Sequence, residues 1–161
     1  MIVRDETPDD LTIIHALVET AFGRRDEALL VDRLRAAGDS VMSLIAVEDA
    51  SIVGHAMFSR MAAPFPSLCL APVAVRPDRR RRGIGTALIR RGLERASDGP
   101  WRAVFVLGDP AYYRRWGFDA GLAAGFDSPY AGPSLMVLPL GGGLPATRGS
   151  LAHAAAFSSL S

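Results

Sequence analysis

From residue 84 onward apolar side chains return at helical spacing. Ile84, Leu88, Ile89, Leu93 and Ala96 share one face with Gly92, while Arg90, Arg91, Glu94 and Arg95 lie opposite. That period predicts an amphipathic helix opening at Gly83. The run AVFVL, residues 103 to 107, is continuously apolar and predicts a strand buried on both faces, parallel to the strand before the helix. That earlier strand is LCLAPVAV, residues 68 to 75, also apolar on both faces and so placed centrally. Pro72 interrupts it. Proline gives a ladder no N–H, so this position predicts a bulge or a place where neighbouring strands separate.

Upstream, residues 2 to 6 read as a first strand. Thr7-Pro8-Asp9-Asp10 then supplies a capping hydroxyl, an N1 proline and first-turn acids for a helix running to about Phe22. Leu29, Leu30, Leu34 and Ala37 recur at helical spacing between Asp26 and Gly38, a second helix with Gly38 as its left-handed cap. Residues 44 to 47 and 52 to 58 are β-rich runs around the polar Glu48-Asp49-Ala50-Ser51, an antiparallel hairpin. After residue 107, Gly108-Asp109-Pro110 ends a strand and starts a short helix. Asp109 reads as its N-cap, with a catalytic role as the alternative. Residues 134 to 140, SLMVLPL, read as the last strand, and Gly141-Gly142-Gly143 as a flexible joint to a tail without repeat or motif.

A chain of 161 residues, 49% hydrophobic and 22% charged, fits one globular domain and not a disordered or fibrous one. Cys69 is the sole cysteine, and no CxxC or HxxH spacing suggests a metal site. The first ten residues carry four acids where a signal peptide needs a basic segment, and no apolar run approaches about 20 residues. A cytoplasmic protein without a membrane partner is therefore expected, monomeric or homodimeric.

All eighteen basic residues are arginine. Residues 76 to 91, RPDRRRRGIGTALIRR, hold seven of them against one aspartate, while the rest of the chain carries eleven against sixteen acids. Positive charge is thus concentrated at one place, which favours a local anion site over a nucleic-acid face. Gly83-x-Gly85 at a strand-to-helix turn lets several backbone N–H groups converge on an anion that the helix dipole also favours. Arginine at 80, 81 or 82 can add charge-assisted bonds to phosphate oxygens. A P-loop is excluded because no Gly-Lys-Ser or Gly-Lys-Thr follows. A dinucleotide turn lacks its third glycine, position 88 being leucine, and would not tolerate the seven residues between the strand and Gly83.

The stretch VRPDRRRRGIGTAL resembles the acyl-CoA binding motif of the GNAT superfamily of N-acetyltransferases: Arg80, Gly83 and Gly85 fill its Gln/Arg-x-x-Gly-x-Gly/Ala places. YYRRWGF matches a second signature, Tyr-x-x-x-Gly-Phe, through Tyr113, Gly117 and Phe118. FGRRDEALLVDRLR, SLIAVEDASIVGHAMFS, LGDPAYYRRWGF and SPYAGPSLMVLPL extend the likeness, over residues 2 to 140, to the bacterial YhbS-like branch of predicted acetyltransferases. The implied fold is α/β (α+β): a single GNAT-like domain, residues 1 to 140. It has a central mixed, mostly antiparallel sheet of about six or seven strands, the fourth and fifth splayed in parallel, flanked by about four helices. Residues 141 to 161 form a tail of unassigned role.

The resemblance implies acetyl-CoA as co-substrate and a primary amine as acceptor, with neither metal nor nucleic acid. Backbone groups of Val73 and Val75, flanking Ala74, would pair with the pantetheine arm. N–H groups from Arg81, Arg82, Gly83, Ile84, Gly85 and Thr86 would hold the pyrophosphate, with Arg80 bracing the loop. A strand-four N–H would stabilise the oxyanion, and Tyr113 would protonate the departing thiolate; Tyr112 is expected to pack. Two departures stand out. Relatives often place a glutamate on strand four, and LCLAPVAV has none, leaving the general base open among His55, Glu27 and Asp109. Arg81 occupies a place where relatives frequently have glycine. Two rival functions are an acyl-CoA sensor without turnover and an arginine-rich nucleic-acid module with a steep salt dependence.

Overall fold

The computed structural model describes residues 1–159. In chain order its elements are β1 (Ile2–Asp5), α1 (Leu11–Phe22), α2 (Asp26–Ala36), β2 (Ser40–Glu48), β3 (Ser51–Ala62), β4 (Ser67–Val75), α3 (Ile84–Ser97), β5 (Ala103–Leu107), α4 (Pro110–Tyr113), α5 (Ala120–Ala123), β6 (Phe126–Asp127), β7 (Leu135–Pro139), β8 (Gly149–Ser150) and β9 (Ala152–His153). One mixed sheet runs β1-β2-β3-β4-β5-β7, with β9 added to β3; only β4 and β5 pair in parallel within it.

The sheet buries both faces. Ile14, Val18 and Leu34 of α1 and α2 pack against Met57, Cys69 and Phe105 on one side. Ile84, Leu88 and Ile89 of α3 pack against Leu44, Phe58 and Leu70 on the other. The close approach of α3 depends on Gly92, since a β-carbon there would lie 2.2 Å from Phe58 Cε1. The N-terminal turn before α1 is fixed by Asp10, which accepts from the Thr7 N–H at 2.7 Å and hydroxyl at 3.0 Å. Arg4 completes this at 2.9 Å and, with Thr7, holds the carboxyl down at about 2.

β2 and β3 are longer than their apolar cores suggest. Ser43 pairs with Met57 and Ser59 with Cys69, because ladder bonds continue past the last apolar residue when both neighbours are strands.

Pro72 does what its chemistry requires. The β4–β5 register runs from Ser67↔Ala103 to Leu70↔Val106 and stops there. On the other side, Ala56↔Val73 is followed by Phe58↔Leu70, so Ala71 and Pro72 face one β3 residue in a bulge. Beyond that point β4 has no β5 neighbour.

The strand at 135–139 is not the last. The chain returns so that β8 pairs with β6 in parallel and β9 pairs with β3 through Met61↔His153 and Ala62↔Ala152. Leu151 and Phe157, only 5% and 6% exposed, join the α1–α2 side of the core.

Candidate active site

The gap beyond Leu70 and Val106 is the organising feature. Arg76 N–H bonds the Val53 carbonyl at 2.8 Å, which sets the antiparallel alternation: Ala74 turns its polar groups to His55 of β3. Val73 and Val75 therefore direct theirs away from β3, into the space that β5 has left.

At the end of β4 the chain makes a short 3₁₀ turn (Pro77–Arg79) and enters α3 through Gly83, whose φ of +79° is the left-handed conformation. Gly85 follows, and a β-carbon there would lie 3.0 Å from the Tyr112 hydroxyl. Arg81 is also left-handed, at φ +64°, which accounts physically for glycine being the easier residue at this place. Arg80 reaches across to the carbonyl of Ala21 at 2.7 Å, tying the loop to the C-terminal end of α1, where the dipole favours a cation. The other arginines divide. Arg76 pairs with Asp78 at 2.9 and 2.7 Å, and Arg79 with Glu48 at 3.2 Å. Arg81 and Arg82 are exposed and have no carboxylate partner among the described residues.

Val73, Ala74, Val75, Arg80, Gly85 and Tyr112 line a cavity of about 260 Å³. Of the loop residues expected to hold a pyrophosphate, Gly85 lines this cavity beside Arg80, while Arg81, Arg82, Gly83, Ile84 and Thr86 do not; its β4 wall is the stretch beyond the last β5 pairing. A second cavity, about 440 Å³, lies on the other side of Tyr113, between β4, α2 and the C-terminal segment. Phe22, Val73 and Tyr113 line both. Phe22 and Leu107, 41% and 45% exposed, stand on its walls as apolar surface left open.

Tyr113 ends α4, the helix that Asp109 caps by accepting from Ala111 N–H at 3.0 Å. The Tyr-x-x-x-Gly-Phe spacing has a physical reason. Gly117 takes φ +99°, the chain turns, and buried Phe118 lies edge-on to Tyr113 with ring centres 5.8 Å apart. Tyr112 braces the other side at 5.0 Å. Burial, reinforced by Tyr112 and Cys69, pushes the Tyr113 phenol up to about 12. It is a protonated donor throughout the neutral range.

The three candidate bases do not share this surroundings. His55 is fully buried and lines neither cavity; burial pushes it down to about 4. Its Nε2 lies 2.8 Å from Ser43 Oγ, and Ser43 in turn donates to Glu6, which Arg35 holds at 2.8 and 2.9 Å. Since a hydroxyl has one proton, the His55 Nε2 is the donor to Ser43, and the ring is a structural link. Asp109 is a cap. Glu27 lines the larger cavity, but Arg24 grips both its oxygens at 2.8 and 2.5 Å.

Two residues of the site carry no sequence signal: His153 and Phe157 join it only through tertiary packing. Gly108 is a third. A β-carbon there would lie 2.6 Å from Tyr113 Cε2, so this glycine makes room for the ring.

A twisted mixed sheet with a splayed parallel pair, and an arginine-glycine turn beside the split, defines an acyl-CoA-type transferase fold. Residues 3–121 match the acetyltransferase (GNAT) domain family. The chain belongs to the GNAT acetyltransferase family. It is 36% identical over 131 residues to the uncharacterized N-acetyltransferase YhbS of Escherichia coli strain K12, covering 79% of this chain and 77% of that protein. The crystal structure of Escherichia coli YhbS in complex with CoA superposes with a TM-score of 0.89 at 28% identity, over 99% of this chain and 93% of that one. A GNAT family acetyltransferase from Brucella melitensis in complex with acetyl-CoA gives 0.83 at 35% identity, over 97% of each. Among the described residues no helix is long and apolar enough to cross a membrane.

Proposed function

We propose that the protein transfers an acetyl group from acetyl-CoA, held in the smaller cavity, to a primary amine held in the larger one. The observation that carries this reading is that the two cavities share Val73 and Tyr113. The pyrophosphate lies on N–H groups of Arg81, Arg82, Gly83, Ile84, Gly85 and Thr86, and the pantetheine arm runs along Val73 and Val75 like an added strand. Its thioester then reaches the boundary between the cavities. The amine attacks there, a β4 backbone N–H stabilises the oxyanion, and Tyr113 delivers its proton to the leaving sulfur. The YhbS and Brucella melitensis relatives, solved with CoA and acetyl-CoA, support the choice of donor.

The larger cavity also favours a class of acceptor. Phe22, Leu30, Leu70, Pro72, Leu107 and Phe157 give it an apolar wall, and its one carboxylate, Glu27, is already neutralised by Arg24. An amine on an apolar or aromatic body fits better than a polycation.

The test is Tyr113→Phe. It should keep the acetyl-CoA affinity measured by calorimetry and lower kcat by about 10² to 10⁴, the range for loss of a general acid. Unchanged turnover on an amine the wild type acetylates would remove Tyr113 from the reaction.

A further inference from the structure

The acetyl transfer proposed above needs a group that takes the amine's proton, and β4 carries no glutamate. Of the residues first considered, His55 and Asp109 lie outside the larger cavity and Glu27 is bound to Arg24.

The cavity also holds an imidazole. His153 enters its wall from β9, the two-residue strand laid against β3 through Met61↔His153. The ring is held edge-on between Tyr130, 4.9 Å away at 80°, and Phe157, 5.2 Å away at 62°. Its Nδ1 is buried and has no hydrogen-bond partner among the described residues. His55 Nδ1 is likewise buried without a partner, but His55 lines neither cavity. His153, by contrast, lines the same cavity as Tyr113.

We infer that His153 is the general base: it accepts the proton released by the acceptor amine as the new C–N bond forms. The inference rests on the transfer reaction proposed above. The amine nitrogen attacks the thioester carbonyl carbon and the C=O π pair moves to oxygen. His153 removes a proton from that nitrogen. The oxyanion re-forms the carbonyl as the C–S bond breaks, and Tyr113 gives its phenolic proton to the sulfur. The products are the N-acetylated amine and CoA thiol. The proton on His153 and the charge on Tyr113 then cancel through solvent, so nothing is consumed besides the two substrates.

The surroundings suit the role. Facing the cavity with His153 are Glu27 of α2, paired with Arg24, then Cys69 of β4, Tyr113 of α4, and Tyr130 before β7. Burial raises both Cys69 and Tyr113 to about 12, so neither bears charge near neutrality. Burial also lowers His153 below the ordinary 6.5, so the ring is a neutral acceptor at pH 7. The cavity's acid and base are thus driven apart by the same loss of water.

The experiment uses the full chain with acetyl-CoA and a primary amine that the wild type acetylates, following CoA release from pH 5 to 9. His153→Gln should bind acetyl-CoA as the wild type does and lose about 10² to 10⁴ in kcat. The wild-type profile should show an acid limb below pH 6.5 that the variant lacks; the acceptor's own ionisation is common to both and cancels in their ratio. Imidazole in solution should restore part of the rate to His153→Ala. Turnover in His153→Gln within a few-fold of wild type, with the limb retained, overturns the assignment while leaving the transfer reaction intact. If the variants fail to fold, a wild-type profile with no limb below pH 6.5 overturns it alone. A wild type that binds acetyl-CoA and acetylates no primary amine overturns the transfer reading, and the role of His153 with it.

Discussion

Gly108 offers the sharpest mechanical test, because it touches the proposed acid without being part of the chemistry. A β-carbon at this position would lie 2.6 Å from Cε2 and 3.1 Å from Cδ2 of Tyr113. Nonbonded carbons settle at roughly 3.5 to 4 Å, so the ring must retreat by about 1 Å. It is free to do so only towards the cavities, since Tyr112 and Phe118 hold its other edges. A misplacement of about 1 Å at a catalytic group costs on the order of 10² in rate. Gly108 is not among the positive-φ glycines, so alanine fits the backbone and the unfolded chain loses entropy worth about 0.4 to 1 kcal/mol, partly offsetting overpacking. Gly108→Ala should therefore lower kcat about a hundredfold with a melting temperature near that of wild type. Steady-state CoA release and a thermal melt on one preparation decide it. Full activity at unchanged stability would mean that the Tyr113 ring position does not matter to turnover.

Other consequences follow from the same contacts. Gly92→Ala forces a methyl to within 2.2 Å of Phe58 at a sheet–helix seam with no slack, and should destabilise the fold by about 1 to 3 kcal/mol in urea unfolding. Arg80→Ala removes the 2.7 Å tie between the loop and Ala21; with about 1 kcal/mol lost at this exposed site, acetyl-CoA affinity should fall about fivefold by calorimetry while kcat changes little. His55, held down at about 4 by burial, binds its proton more readily when unfolded; its contribution to stability is complete above pH 6.5 and is lost as pH falls towards 4. Chemical unfolding between these values should show that decline, and His55→Gln should flatten it.

Much of this was legible before any coordinates. The helix from 84 was readable because its stripe is wide, and the 103–107 strand because nothing polar interrupts it; both run as expected. Pro72 marked the split in the sheet, since a missing N–H is a local fact that no tertiary contact can restore. Gly83 was legible for a similar reason, since the turn into the helix takes the left-handed conformation that glycine adopts freely. What stayed hidden depends on long-range packing. Two-residue strands such as β8 and β9 have no period to read, so the return of the chain onto β3 left no trace in the pattern. His153 and Phe157 consequently looked like tail residues, and the side of the larger cavity that they form was missing. His55 looked titratable because sequence shows a residue's type and not its access to water. Part of the arginine cluster is answered within the fold: Arg76 pairs with Asp78, Arg79 with Glu48 and Arg91 with Glu94, while Arg81 and Arg82 face solvent beside the start of α3.

The central claim is that donor and acceptor cavities meet at Tyr113 for acetyl transfer. Its most direct test is calorimetry of the purified chain with acetyl-CoA, followed by an amine-library screen scoring free CoA and the acetylated product by mass. Saturable heat with acetyl-CoA, and stoichiometric CoA and N-acetyl product from an amine with an apolar body, are the predicted results. No heat with acetyl-CoA, alongside salt-sensitive binding of DNA or RNA, would contradict it.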